Sequence, residues 1–191
     1  MEIRSLALPS GYDASLNPRV TSFLAQMDDQ LAALKKQTAG LTPAQLHWQP
    51  RPGANTMGML IAHIAIVEVW WIQVAPRNTP EPEWESRLRE LLGIGLDDDG
   101  MPLREGALPP ERLRGKTIDE YVALLDRARA LTHAELKNWN DAELSGTYSF
   151  RNRLNTREWT LYHALEHFSG HYGQILLLKH LSSDVASQTT A

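Results

Sequence analysis

The sequence has no cysteine among its 191 residues. This absence excludes a disulfide framework, a thiolate nucleophile and any zinc or iron–sulfur site built on cysteine. A transition-metal site in this chain must therefore use nitrogen and oxygen ligands. A chain without cysteine is also compatible with a reducing compartment, and we expect a cytoplasmic protein.

A strong charge of one sign and long apolar runs are also missing. The 19 basic and 23 acidic residues give a formal net charge of -4, and the chain has no basic run of the kind that binds nucleic acid. The first eighteen residues have no basic segment followed by an apolar block, so no signal peptide is predicted. The longest apolar tract, Met57 to Trp71, is shorter than the roughly 20 residues that cross a bilayer. We expect neither a nucleic-acid nor a membrane partner.

Apolar residues recur every three or four positions over four stretches, which is the pattern of amphipathic helices. Asn17 followed by Pro18 marks one helix start, and Thr117 with Glu120 has the spacing of a capping box. Four such helices predict an all-α protein, a four-helix bundle. The predicted helices span residues 18–39, 56–75, 117–137 and 156–181.

The segment between the second and third helices, Pro76 to Lys116, is a long irregular connector with several prolines. It has room for one short helix from Glu83 to Leu92. A connection of this size in a compact domain is more often functional or part of an interface than idle. Its acidic run, Asp97 to Asp99, is short and is interpreted as solvated.

The rest of the chain completes one domain. A second loop has room for a small strand pair around Thr147 to Phe150. Residues 1–181 are predicted to form a single helical domain, and residues 182–191 a polar, disordered tail.

The second predicted helix is apolar almost all round its circumference. A four-helix bundle buries about one face of each helix, so this one needs additional cover. Either the connector or another copy of the chain must supply it. Cover by another copy predicts a homodimer with an isologous interface.

The chain contains seven histidines, and three of them lie four residues apart on the fourth helix: His163, His167 and His171. Residues at this spacing are neighbours on one helix face, so two such imidazoles can bind one metal ion. His63 lies inside the most apolar helix, where a metal ion would satisfy a polar group that is costly to bury alone. The alternative for His63 is a hydrogen bond to a neighbour in the core, and the alternative for the pair is a solvent-facing position.

Other residues near these histidines are candidates for indirect roles. Glu68 either orients a ligand imidazole through its second nitrogen or faces solvent. Glu166 precedes His167 and points about 100° away from it, which favours a place on the helix surface or behind the ligands. His47, His133 and His180 are interpreted as surface histidines. Most aromatic residues are expected to pack in the core, and the candidates for a pocket mouth are Trp70, Trp159 and Tyr162.

Three segments of the sequence together resemble the DinB/YfiT-like family of metalloenzymes. One holds a Trp, prolines, a Gly and an Asn before the second helix, one surrounds the histidine of that helix, and one carries Glu-His-x-x-x-His-x-Gly-Gln-Ile on the last helix. Any one of them alone would not be specific. The segments are Leu41 to Asn55, Leu60 to Glu68 and Leu161 to Ile175.

The resemblance implies a four-helix bundle with an up-down-down-up course and one divalent transition metal, zinc or nickel. The positions that match the family's ligands are His63, His167 and His171. His163 matches no ligand position and is a candidate to lie behind the ligands or in the core. The family resemblance also implies a homodimer.

Three neutral histidines with open positions on the ion are typical of a catalytic rather than a structural zinc site. Such an ion lowers the pKa of a bound water toward about 7, or it binds a thiolate. The resemblance implies a metal-dependent enzyme that acts on a small molecule, either a transferase or isomerase that uses a low-molecular-weight thiol or a hydrolase. Two other hypotheses remain open: a non-catalytic, metal-binding stress-response bundle, and a helical interaction module whose histidines are incidental.

Overall fold

A computed structural model describes the backbone of residues 6, 16–99, 101 and 107–189, and the side chains of these residues as far as 183. Most of these residues are helical, as predicted, and the strands form one short antiparallel pair. The helices are α1 (Pro18–Thr38), α2 (Pro43–Leu46), α3 (Met57–Val69), α4 (Trp84–Leu92), α5 (Ile118–Leu136), α6 (Asp141–Ser145) and α7 (Arg157–Thr189), and the strands are β1 (Thr147–Phe150) and β2 (Arg153–Thr156).

Polar side chains cap the helix starts where the sequence predicts them. The Asn17 side chain accepts a hydrogen bond from the backbone of Arg19 at 2.9 Å, and Thr117 and Glu120 form a reciprocal capping box. These bonds satisfy backbone N–H groups that have no partner within the helix. The starts of α1 and α5 therefore agree with prediction.

The ends of two helices differ from prediction. After Val69 the chain continues as a π-helical turn, Trp70–Val74, and a 3₁₀ turn, Ala75–Arg77. The regular ladder fails there because Pro76 has no N–H to donate and its ring crowds the preceding turn. The predicted end of the last helix near 181 is wrong, because α7 runs to Thr189. The segment predicted as a disordered tail is thus helical to that residue, since no glycine or proline stops it. Residues 190 and 191 lie outside the described part.

Contacts at both ends of α1 and α7 give their relative direction. Near the helix starts, Arg19 forms an ion pair with Glu158 at 2.6 Å. Near the helix ends, the Lys179 ammonium donates to the Gln37 carbonyl at 2.5 Å. The two helices therefore run parallel.

The helix α3 runs against α7 and parallel to α5. Its first half reaches the middle of α7 through His63 and His167, whereas Trp71 just after it reaches Trp159 near the start of α7. The contacts between α3 and α5 follow the same order along both helices. Those contacts are Gly58 with Tyr121 and Glu68 with Arg129.

These directions give the predicted up-down-down-up course, with α1 and α7 parallel to each other and antiparallel to α3 and α5. The opposite direction of α1 and α5 is visible in their own contacts. Asp28 of α1 faces His133, while Lys35, further along α1, faces Asp126, which comes earlier in α5.

The connector packs against α3 and against the helical turns that follow it. Trp84 at the start of α4 packs edge-on against Trp70, with ring centroids 5.2 Å apart. Leu88 and Leu113 of the connector are fully buried, and the Tyr121 hydroxyl donates to the Leu113 carbonyl at 2.9 Å. The apolar circumference of α3 is thus covered within one chain. The homodimer has no support from this helix and stays a prediction.

The segment Met57–Arg77 is long and apolar enough to cross a membrane by composition, but 89% of its most apolar window is buried inside the bundle. Its apolar character is explained by its central position. A core helix that is surrounded by other elements has no polar face to keep.

A buried ion network joins α1, α3 and α5. The Arg129 guanidinium donates to both oxygens of Glu68, at 2.9 and 3.1 Å, and to Asp28 at 2.8 Å. Thr132 donates to the same Glu68 carboxylate at 2.8 Å. Burial alone would lower the pKa of Arg129, but the carboxylates of Glu68 and Asp28 raise it above its ordinary value. The network therefore contains a fully charged guanidinium between two acidic side chains.

We predict that Arg129→Met destabilises the protein by about 3–5 kcal/mol, because it leaves the Glu68 carboxylate buried without its counter-charge. Urea unfolding of the wild type and the variant measures the difference. Arg19→Met is the control, since Arg19 pairs with Asp141 and Glu158 on the exposed surface and such pairs contribute little. Equal stability of the two variants would contradict the prediction.

Candidate metal centre

Three imidazoles meet where α3 faces α7. His167 and His171 lie one turn apart on α7, and His63 approaches them from α3. The Nε2 atom of His167 lies 2.9 Å from that of His63 and 3.1 Å from that of His171. One ligand atom from each ring lies within 4.8 Å of the other two. The structure thus brings together the three side chains that the sequence marks as ligand candidates.

Hydrogen bonds on the far side of two rings set their protonation. The Nδ1 atom of His63 lies 2.5 Å from Oδ1 of Asp99, and the Nδ1 atom of His171 lies 2.8 Å from Oε1 of Gln174. Both oxygens are acceptors, so each Nδ1 carries the proton. In a neutral imidazole the other nitrogen then has a lone pair. With this tautomer, the Nε2 atoms of His63 and His171 are the nitrogens that face His167 and can bind an ion.

The two rings on α7 favour the neutral form. Burial, and then the neighbouring imidazoles of His171, His63 and His163, lower the pKa of His167 from 6.5 to about 3. Burial also lowers the pKa of His171, against the opposing effects of its hydrogen bond to Gln174 and of the Asp99 carboxylate. At neutral pH, His167 and His171 are therefore uncharged nitrogen donors.

This donor set fits a divalent transition-metal ion. The Nε2 atom of His167 lies about 3 Å from those of His63 and His171, and these separations are compatible with one ion 2.0–2.1 Å from each nitrogen, the usual zinc–imidazole distance. Neutral imidazole is a ligand that zinc and nickel accept readily. Without an ion, a proton on the His167 Nε2 can satisfy only one of the two lone pairs that face it.

Glu68 is not at this centre, which corrects the two roles considered for it. Its carboxylate is 4% exposed and binds Arg129 and Thr132. The reason is rotational, since five residues along a helix from His63 turn the side chain by about 140°. His63 therefore faces α7, whereas Glu68 faces α5.

His163 and Glu166 lie beside the three histidines rather than among them. The His163 ring stacks on Trp159, with an interplanar angle of 7°, and meets Trp71 edge-on. Its centroid lies 6.0 Å from that of His167. Its Nδ1 atom lies 3.4 Å from the carboxylate of Glu166, which points outward. This pair forms one flank of the site.

The aromatic candidates for a pocket mouth divide by exposure. Trp70 is buried and packs against Trp71, Trp84 and Phe150. Trp159 is 40% exposed and adjoins His163, and Tyr162 on the next turn is 60% exposed. Trp159 and Tyr162 are the two candidates that a solute can reach.

Two of the other histidines differ from the surface positions predicted for them. His133 is half-buried and lies 3.0 Å from the Asp28 carboxylate, and the Nε2 atom of His47 is buried without a hydrogen-bond partner. His180 is exposed, as predicted. His47 packs near Tyr121, with ring centroids 6.4 Å apart, and this explains its burial.

Asp99 and Gln174, which hold two of the rings, were not identified as functional from the sequence. Gln174 follows His171 by three residues on one helix, so helical spacing alone places the two side chains on the same face. Asp99 lies in the connector, in an acidic run interpreted as solvated. That interpretation is wrong for Asp99 and for Asp98, which is 5% exposed.

Comparison with known proteins places this chain in a family. The DinB superfamily model matches residues 26–175. A conserved protein from Enterococcus faecalis is 21% identical with a TM-score of 0.62, and the match covers 84% of this chain and 94% of that one. A DinB-like protein from Bacillus cereus is 19% identical with a TM-score of 0.55, over 84% of this chain and 91% of that one. At these identities the likeness shows the fold, and no curated protein matches. Because the family match extends over most of the sequence, the chain belongs to the DinB superfamily.

Proposed function

We propose that this protein binds one divalent transition-metal ion, zinc or nickel, through His63, His167 and His171, and that it is a metal-dependent enzyme acting on a small molecule. The observation that carries the proposal is the convergence of three Nε2 atoms, two of them on rings whose Nδ1 atoms face an oxygen acceptor. Rings held this way are the usual ligands of protein metal sites.

The residues of the chain have distinct roles in this proposal. Asp99 and Gln174 fix the tautomers of His63 and His171, and burial keeps His167 uncharged. Three protein ligands leave positions on the ion for a substrate, as in catalytic zinc sites. The bound ion would supply Lewis acidity, which favours the deprotonated form of a thiol or a water. Trp159, which stacks on His163, offers partly exposed apolar surface beside the site, and Tyr162 is exposed on the next turn of α7.

The substrate class follows from the family resemblance, which supports a low-molecular-weight thiol as cosubstrate of a transferase or isomerase. Hydrolysis of a small molecule is the alternative with the same ion. A homodimer in the cytoplasm completes the proposal, and both of these features stay predictions.

Metal binding is tested first. We expect one zinc or nickel ion per chain after loading and dialysis, measured by elemental analysis, and loss of that ion in His167→Ala and His171→Ala. His180→Ala is the matched control, because His180 is an exposed histidine on the same helix. Two results would show that the histidines are incidental: the wild type retains no ion, or a variant with all three histidines replaced binds the ion equally well. Either result would favour the interaction-module hypothesis.

Turnover separates an enzyme from a bundle that only stores metal. We expect the zinc- or nickel-loaded protein to consume a low-molecular-weight thiol in the presence of a small electrophile faster than the metal-free protein does. Loss of free thiol is the readout, and His171→Ala in the same metal solution is the control. Equal rates for loaded protein, metal-free protein and variant would favour the non-catalytic hypothesis.

The metal-free protein is expected to lose stability as the pH falls from about 6.5 toward 3. In this window an unfolded His167 binds a proton, whereas the folded one, with its pKa of about 3, does not. The unfolded state binds more protons, so the free energy of unfolding decreases with decreasing pH. His167→Gln should make this decrease shallower, and His180→Gln should leave it unchanged. Thermal unfolding in a chelator at several pH values measures the slopes, and identical slopes for wild type and His167→Gln would refute the expectation.

A further inference from the structure

We propose that Asp99 is a positioning residue of the metal centre and that the connector exists in part to deliver it. Its carboxylate holds the His63 ring in the tautomer and orientation that bind the ion. This inference rests on the metal-binding function proposed above. It adds a residue that touches no substrate and acts through a ligand.

The contact between Asp99 and His63 is short and shielded. Their side chains are 17% and 14% exposed, and the Nδ1–Oδ1 distance is 2.5 Å. A charge-assisted hydrogen bond of this kind is stronger when water is largely excluded. A carboxylate behind a ligand imidazole fixes the ring and raises the basicity of its other nitrogen. It also places an acidic side chain behind one of the three imidazole ligands, which favours a cation at the site.

The turn that carries Asp99 is anchored independently of His63. The buried Asp98 carboxylate accepts a hydrogen bond from the Gly95 backbone at 3.1 Å and pairs with Arg89 of α4 at 3.0 Å. Glu85 of α4 occupies the place of a Gly95 side chain, where a Cβ atom would lie 2.1 Å from its carboxylate. The turn is thus bound to α4, which itself packs on the end of α3.

The two neighbouring aspartates have different roles, one in fixing the turn and one at the histidine cluster. Asp98 holds the turn to α4, whereas the hydrogen bond that the structure gives the Asp99 side chain is to His63. A residue needed only to fix the connector would contact the connector. Asp99 instead spans from it to a ligand 36 residues earlier in the chain.

The test compares Asp99→Asn with Asp97→Asn, which removes the same charge two residues away at a side chain that is 79% exposed. Zinc affinity is measured by competition with a chromogenic chelator, and the cobalt-substituted proteins are compared by absorption spectroscopy. We expect Asp99→Asn to weaken zinc binding about 10–100-fold and to alter the cobalt spectrum. Asp97→Asn should match the wild type in both.

Three results with the variants would overturn the inference. Wild-type zinc affinity in Asp99→Asn would show that the carboxylate does not act through His63. Equal weakening in Asp97→Asn would show a general effect of charge. A lower melting temperature of metal-free Asp99→Asn, with an unchanged cobalt spectrum, would show a structural role alone. If the wild type itself binds no zinc, the proposed function fails and this inference fails with it, which the wild-type arm shows before any variant is measured.

Discussion

The need to cover α3 on every side constrains the rest of this structure. The helix has no polar face, so α5, α7 and the connector each bury part of it. The few polar side chains on its length therefore enter the interior, and each needs a partner from the element that covers it. Glu68 faces α5 and meets Arg129, while His63 faces α7 and the connector and meets His167 and Asp99. The ion network and the histidine cluster both provide partners for polar side chains that α3 places in the interior.

The ion network and the histidine cluster differ in chemistry, and this difference explains why only the histidine cluster favours a bound cation. Arg129 brings several N–H donors to the Glu68 and Asp28 carboxylates, so donors and acceptors are matched within the protein. At the histidine cluster, burial and mutual repulsion lower the pKa of His167 and His171, so protons are scarce where lone pairs converge. A cation from solution can bind the imidazole nitrogens that lack a hydrogen-bond donor. This is why the histidine cluster is a candidate metal centre.

Most of the helical frame follows from the sequence, because local signals set it. The caps at Asn17 and Thr117 and the apolar periodicity are short-range, and so is the spacing of His167 and His171. The features that were missed depend on rotation or on distant contacts. The apolar pattern of α3 does not assign a face to Glu68, whose position five residues after His63 turns it by about 140° toward α5. Asp99 was missed because no periodicity connects a loop residue to a histidine 36 positions earlier.

The length of the connector follows from the two tasks that this segment performs. A link between neighbouring helices usually needs only a few residues, whereas this one packs Leu88 and Leu113 against the apolar core and ends its anchored turn at Asp99. Covering α3 and positioning His63 are therefore mechanically coupled. Displacement of the connector would expose apolar surface and would also release the His63 ring from Asp99. The hydrophobic free energy that keeps the connector in place, roughly 25 cal/mol for each Å² buried, thus also keeps the site assembled.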